Sequence, residues 1–201
     1  MSESRRGDWI QVHSGRAFWP LDPREDELFI EDVAQGLSHL CRFGGQCREF
    51  YSVAQHSVLV SELCEGFTPT GADSERRSLN ALSGLLHDAP EAFIADLPRP
   101  VRSQLPSYND IEAGLWQVCA QRWGLLDADG AKFLYDEEIL RRADDTALVT
   151  EKRDLMAVSM HWGLEEEVEP VPRTILPVPS SEARGHFLER FKVLQQRLGR
   201  G

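Results

Sequence analysis

The chain has 201 residues, 41% of them hydrophobic, and a formal charge of −11 from 22 Lys and Arg against 33 Asp and Glu. That length supports a single domain with its own core. The acidity argues against a general nucleic-acid binder, whose affinity comes from Lys and Arg on phosphates, although an anionic small molecule can still be held by a metal or a few placed arginines.

Residues 1–29 read as irregular, with Gly, Pro and Asp punctuation and a short strand possible around Trp9, Ile10 and Val12. The opening MSESRRGDWIQ has no apolar run, so no signal peptide is expected. The four cysteines, Cys41, Cys47, Cys64 and Cys119, include no CxxC pair and are expected to be reduced, mostly buried residues of a cytoplasmic protein. No segment reaches the ~20 apolar residues that span a bilayer, so no membrane partner is expected.

The first helix is predicted from near Phe29, where Ile30, Val33, Ala34, Leu37, Leu40 and Cys41 recur at helical spacing. Gly44 and Gly45 stop it. A second helix is predicted over about Val53–Cys64, with Ser52 as cap, followed by the loop GFTPTGADSERR. A third runs from about Arg77 to Ala95 and ends before LPRP, with a kink at Pro90. A fourth covers about Asn109–Trp123 and a fifth about Gly130–Met156. Residues 164–180 read as an extended acidic, Pro-rich connection. A last helix follows Ser181, with Phe187, Phe191, Leu194 and Leu198 on one stripe. The fold class is all-α: one helical domain over 1–201, with a core of about 29–158 and an extension with its own helix over 159–201.

The informative stretch is LLHDAPEAFIADLPRP, which sets His87, Asp88, Glu91 and Asp96 among core-type residues. Unpaired charge is costly to bury, so such groups are solvated, paired or ligated. His87 and Glu91 are four apart and Asp88 and Glu91 three apart, neighbours on one helix face. His56 lies in another apolar helix, and alone reads as a satisfied core histidine. Asp144 adjoins Ala143 on the inner face of the fifth helix, with Asp145 left to solvent. Two His and two Asp form a borderline donor set suited to Mn²⁺, Co²⁺, Fe²⁺, Mg²⁺ or Zn²⁺, with positions left for water and substrate.

The order His56, His87-Asp88, Asp144 resembles the H…HD…D signature of the HD-domain metal-dependent phosphohydrolases. SGRAFWPLDP, ALSHLCRFGGQC, FYSVAQHSVLVS, LLHDAPEAFIADLPRP and RRADDTALVTEKRDLM resemble the small branch of deoxyribonucleoside 5′-monophosphatases and phage dATP triphosphohydrolases, over about residues 10–156. The resemblance implies an HD-type helical bundle in which His56, His87, Asp88 and Asp144 hold a divalent metal. Glu91 and Asp96 match the branch's further acidic pair, with Glu91 orienting or deprotonating the water and Asp96 assisting. Arg16 matches a substrate-contacting arginine. Arg42, beside two glycines, and Lys152 with Arg153 are further candidates for phosphate. Phe18 and Trp19 either stack on a base or plug the helices. The implied activity is hydrolysis of a nucleotide phosphate ester, as a dNTP triphosphohydrolase with dATP favoured or as a dNMP 5′-nucleotidase. A non-catalytic metal or nucleotide sensor and a hydrolase of another phosphate ester stand as alternatives. A homo-oligomer, dimer or hexamer, is also implied.

Overall fold

The computed structural model describes residues 5–157 and 160–200. The expected all-α class is what the chain adopts. Its only sheet among the described residues is a two-stranded antiparallel ribbon, β1 (Ile10–Gln11) and β2 (Ala17–Phe18), with Ile10 opposite Phe18. β1 falls where the short strand was expected. The expected division between core and extension, at 158/159, lies outside the described residues.

The helices are α1 (Ile30–His39), α2 (Val53–Phe67), α3 (Ser74–Leu86), α4 (Glu91–Ile94), α5 (Arg99–Arg102), α6 (Pro106–Arg122), α7 (Glu137–Leu155) and α8 (Ser180–Arg197). Side-chain caps fix several starts. Ser52 accepts the Gln55 N–H at 3.1 Å and Asp73 accepts that of Arg76 at 2.7 Å. Helix α2 is central: it packs along α3 most extensively and also against α1, α7 and α8. The main core joins Leu37, Val53, Leu82, Leu85, Leu86, Leu115, Phe187 and Leu194, all fully buried. A smaller cluster of Leu59, Val60, Cys64, Ala143 and Ala147 seats α7 on α2.

Several boundaries differ from the sequence reading: α1 ends at His39, before the expected Gly44–Gly45 stop, α2 runs on to Phe67, α3 begins at Ser74 inside the expected loop, α6 begins at Pro106, and Leu164–Glu166 is a 3-10 turn in the expected extended segment. The expected helix over 77–95 is two helices, α3 and α4, separated by a turn at 87–90. Pro90 has no N–H to offer Leu86, whose carbonyl instead accepts from Ala89 at 2.8 Å, and Glu91 then bonds back to Asp88 at 3.0 Å. The expected start of the fifth helix near Gly130 moves to Glu137. Residues 125–134 form a hairpin-like return, with Gly130 at φ +67°, and Asp136 caps α7 by accepting the N–H groups of Glu138 and Ile139. Within LPRP itself the chain starts the short α5, in which Pro100 occupies the first turn, where a missing N–H leaves no bond unmade.

Helix α8 is part of the bundle. Phe187 and Leu194 enter the main core, and α8 packs on α1, α2 and α3. Of the cysteines, Cys64 and Cys119 are buried, whereas Cys41 and Cys47 are half-buried.

Candidate metal centre

Three helices converge on one spot. His56 comes from the second turn of α2, His87 and Asp88 from the turn after α3, and Asp144 from α7. His56, His87 and Asp144 each offer an atom within 4.8 Å of the others. His56 Nε2 is 3.3 Å from His87 Nε2 and 3.2 Å from Asp144 Oδ1. Asp88 closes a further side, with Oδ1 3.2 Å from His87 Nε2 and Oδ2 3.6 Å from His56 Nε2. All four expected ligands are therefore together. Asp144, not Asp145, faces inward; Asp145 is half-buried beside Arg141 at 3.3 Å, which corrects its expected solvation.

The opposite nitrogen of each ring is anchored. His87 Nδ1 is 2.9 Å from the Gly84 carbonyl, which can only accept, so Nδ1 carries a hydrogen and Nε2 is the nitrogen turned to the cluster. His56 Nδ1 is 2.6 Å from Glu151 Oε1, and both side chains are fully buried. This is how a metal-ligating histidine is held: an outer acceptor fixes the tautomer and turns the other nitrogen to the ion.

Glu151 is the residue the sequence reading missed. It lies seven residues after Asp144, two helical turns along the same face of α7, and that spacing is the signal that marks it. Arg42 donates from Nε to Glu151 Oε2 at 3.1 Å and sets Nη1 3.6 Å from Asp88 Oδ2. Burial works against Arg42's charge, but Glu151, Asp88 and Asp144 outweigh it and hold the group protonated. For His56, burial and Arg42 favour the neutral ring, yet Glu151 and Asp144 prevail and raise its pKa to about 9. Asp144 is raised by burial and lowered further by His56, for a net shift below the usual carboxylate range.

Glu91 opens α4 and is 6% exposed, with Oε2 buried and without a hydrogen-bond partner. Burial, then Asp88 and Asp96, push its carboxyl up to about 10. Asp96 is half-buried and also raised, chiefly by burial. Backbone strain flanks the site. Phe43, next to Arg42, and Ala95, next to Asp96, are the two non-glycine residues with positive φ among those described, at 58° and 67°.

The remaining candidates sit apart from the histidines. The Arg16 guanidinium lies 3.8 Å over the Phe29 ring, and no ion pair joins it to the cluster among the described residues. Phe18 is fully buried and stacks on Phe93 at 4.1 Å. Trp19 is covered on one face by Arg5 at 4.3 Å. Lys152 pairs with Glu165 and lies 5.0 Å over Trp162, and Arg153 binds Asp154 and the Val171 and Arg173 carbonyls. Both cations turn toward the segment before α8.

No protein-family model matches the chain. It is 33% identical over 194 residues to the uncharacterized protein YfdR of Escherichia coli (strain K12), covering 94% of this chain and 96% of that protein. The chain belongs to the YfdR family. A second relative of the YfdR-family chain is the uncharacterized protein RCAP_rcc00048 of Rhodobacter capsulatus, 37% identical over 120 residues, or 58% of this chain and 59% of that one. Neither name carries an activity, so a functional reading of this YfdR-family chain rests on its site. No helix among the described residues is long and apolar enough to cross a membrane.

Proposed function

We propose that the chain is a divalent-metal-dependent phosphohydrolase of a nucleotide phosphate ester. The observation that carries the reading is the pair of histidines whose Nε2 atoms face each other at 3.3 Å beside Asp88 and Asp144, each with Nδ1 anchored behind. Two imidazoles and two carboxylates fit Mn²⁺, Co²⁺, Fe²⁺, Mg²⁺ or Zn²⁺ and leave positions open. When bound, such an ion supplies an acidified water and neutralises charge on a phosphate oxygen.

The protein's own part is proton handling and positioning. Glu91, whose Oε2 is buried and unpartnered, would take a proton from a water held beside Asp88. Burial, Asp88 and Asp96 hold its carboxyl protonated, with a pKa raised to about 10; positive charge at the cluster would offset Asp88 and lower it into the range where it can accept a proton, and Asp96 at the end of α4 shares the task. Arg42 holds Asp88 and Glu151 and leaves substrate contact to Arg16 and Lys152, which a bound nucleotide would draw from their present partners. The resemblance of the HD-type motifs supports a dNTP triphosphohydrolase with dATP favoured, or a dNMP 5′-nucleotidase. The same reading takes the chain as a cytoplasmic homo-oligomer, dimer or hexamer, acting on free nucleotides.

The test is product analysis by ion exchange after incubation with Mn²⁺ or Co²⁺ and, separately, each dNMP and dNTP. Deoxynucleoside with intact triphosphate identifies the triphosphohydrolase; orthophosphate from dNMPs alone identifies the nucleotidase. No product from either set, in protein shown to carry metal, overturns the reading.

A further inference from the structure

Arg42 is a cation beside a candidate phosphate site, yet its guanidinium is occupied by Glu151 and Asp88. Glu151 is a carboxylate without solvent contact, 95 residues away in sequence from the ring it touches. Burying a carboxylate is expensive unless every oxygen is satisfied. Both are: Oε1 meets His56 Nδ1 and Oε2 meets Arg42 Nε. We infer that Glu151 is a positioning residue that fixes the His56 ring with Nε2 toward the cluster and, through Arg42, also holds Asp88 in place. The inference rests on the metal-centre reading above.

The geometry gives one carboxylate control of two ligands on different segments. An Nδ1–H held at 2.6 Å leaves the ring one orientation, because a flip about χ2 would turn a carbon edge to Glu151. Asp88 Oδ2 lies within 3.6 Å of both Arg42 Nη1 and His56 Nε2, so a displaced guanidinium releases it as well. His87 is built differently. Its Nδ1 acceptor is the Gly84 backbone carbonyl, which no side-chain substitution removes. His87 is therefore a built-in control.

The experiment is a ¹H–¹⁵N spectrum of the full chain loaded with Zn²⁺, comparing native protein with Glu151→Gln, together with zinc affinity from chelator competition. Two protected ring Nδ1–H signals are expected in the native protein, for His56 and His87, assigned by replacing each histidine in turn. In Glu151→Gln the His56 signal should shift or vanish while that of His87 stays, and zinc affinity should fall by roughly 10–100-fold, as for loss of an outer-shell partner. Both signals and the affinity unchanged would overturn the positioning role. Failure of Zn²⁺ to perturb either ring in the native protein would instead overturn the metal-centre reading beneath it. Should Glu151→Gln not fold, Glu151→Asp keeps the charge but withdraws it by one methylene. That variant should lose the His56 signal selectively, and an unchanged spectrum would count against the proposal.

Discussion

His56 and His87 bring their Nε2 atoms to 3.3 Å across the α2–α3 crossing. Glu151 and Asp144 hold His56 protonated, so its Nε2–H occupies a spot that Asp144 and Asp88 make negative, and an ion that displaces this proton gains both imidazole lone pairs and both carboxylates. A divalent ion should therefore stabilise the fold by mass action. With free Mn²⁺ at 100 times its Kd, the gain is about 2.7 kcal/mol. Calorimetry should show the native melting temperature rising with Mn²⁺, and Asp144→Asn should lose most of that rise.

Glu91 separates binding from turnover. Its Oε2 faces no partner within the protein, so Glu91→Gln keeps the shape while removing the proton acceptor. Metal content should stay near native, and turnover should fall by roughly 10²–10⁴-fold, the usual worth of a placed acid or base. A kcat close to native in steady-state kinetics would contradict the role assigned to Glu91.

At Gly84, α3 lies close against α2. A Cβ there would stand 2.8 Å from Cys64 Sγ and 2.9 Å from the Val60 carbonyl, and the carbonyl belongs to a helix that cannot yield locally. Gly84→Ala should force the helices apart and cost about 1–3 kcal/mol in denaturant unfolding. Because the Gly84 carbonyl also holds His87 Nδ1, metal affinity should fall along with stability.

Glu65 ties α8 to α2 by accepting from Arg190 at 2.5 Å and Arg197 at 2.7 Å. Burial raises its pKa, but the two guanidinium groups outweigh that and lower it overall. A carboxyl with a depressed folded pKa contributes stability that is complete above its unfolded value, about 4.3, and lost as pH falls through the lower folded one. Glu65→Gln should cost about 1 kcal/mol at neutral pH, with the difference from native closing in acid unfolding curves below about pH 4.

Much of this was legible from residue spacing. The apolar periodicity of 30–41 and 53–64 gave α1 and α2, and the stripe through Phe187 and Leu194 gave α8, because those faces are buried as the pattern requires. The His and Asp residues stood out because they interrupt such faces. Less legible were breaks set by backbone bonding. Pro90 divides a helix that its side-chain pattern continues, and the hairpin-like return at 125–134 hides the start of α7 until the cap at Asp136. Glu151 was missed because a glutamate in a charged helix looks solvated; its spacing of seven from Asp144 puts it on the inner face, and the folded partners Arg42 and His56 account for its burial. For Arg16, Trp19 and Lys152 the residue types were legible but not their partners, since Arg5, Phe29, Trp162 and Glu165 come from elsewhere in the chain.

The most direct measurement is metal stoichiometry by equilibrium dialysis against Mn²⁺ or Co²⁺, followed by elemental analysis, on native protein and on Asp88→Ala and Asp144→Ala. About one tightly held ion per chain in the native protein, lost in both variants, is the result expected of a centre built on His56, His87, Asp88 and Asp144. No stoichiometric ion in well-folded native protein, or an ion that survives both substitutions, would contradict it.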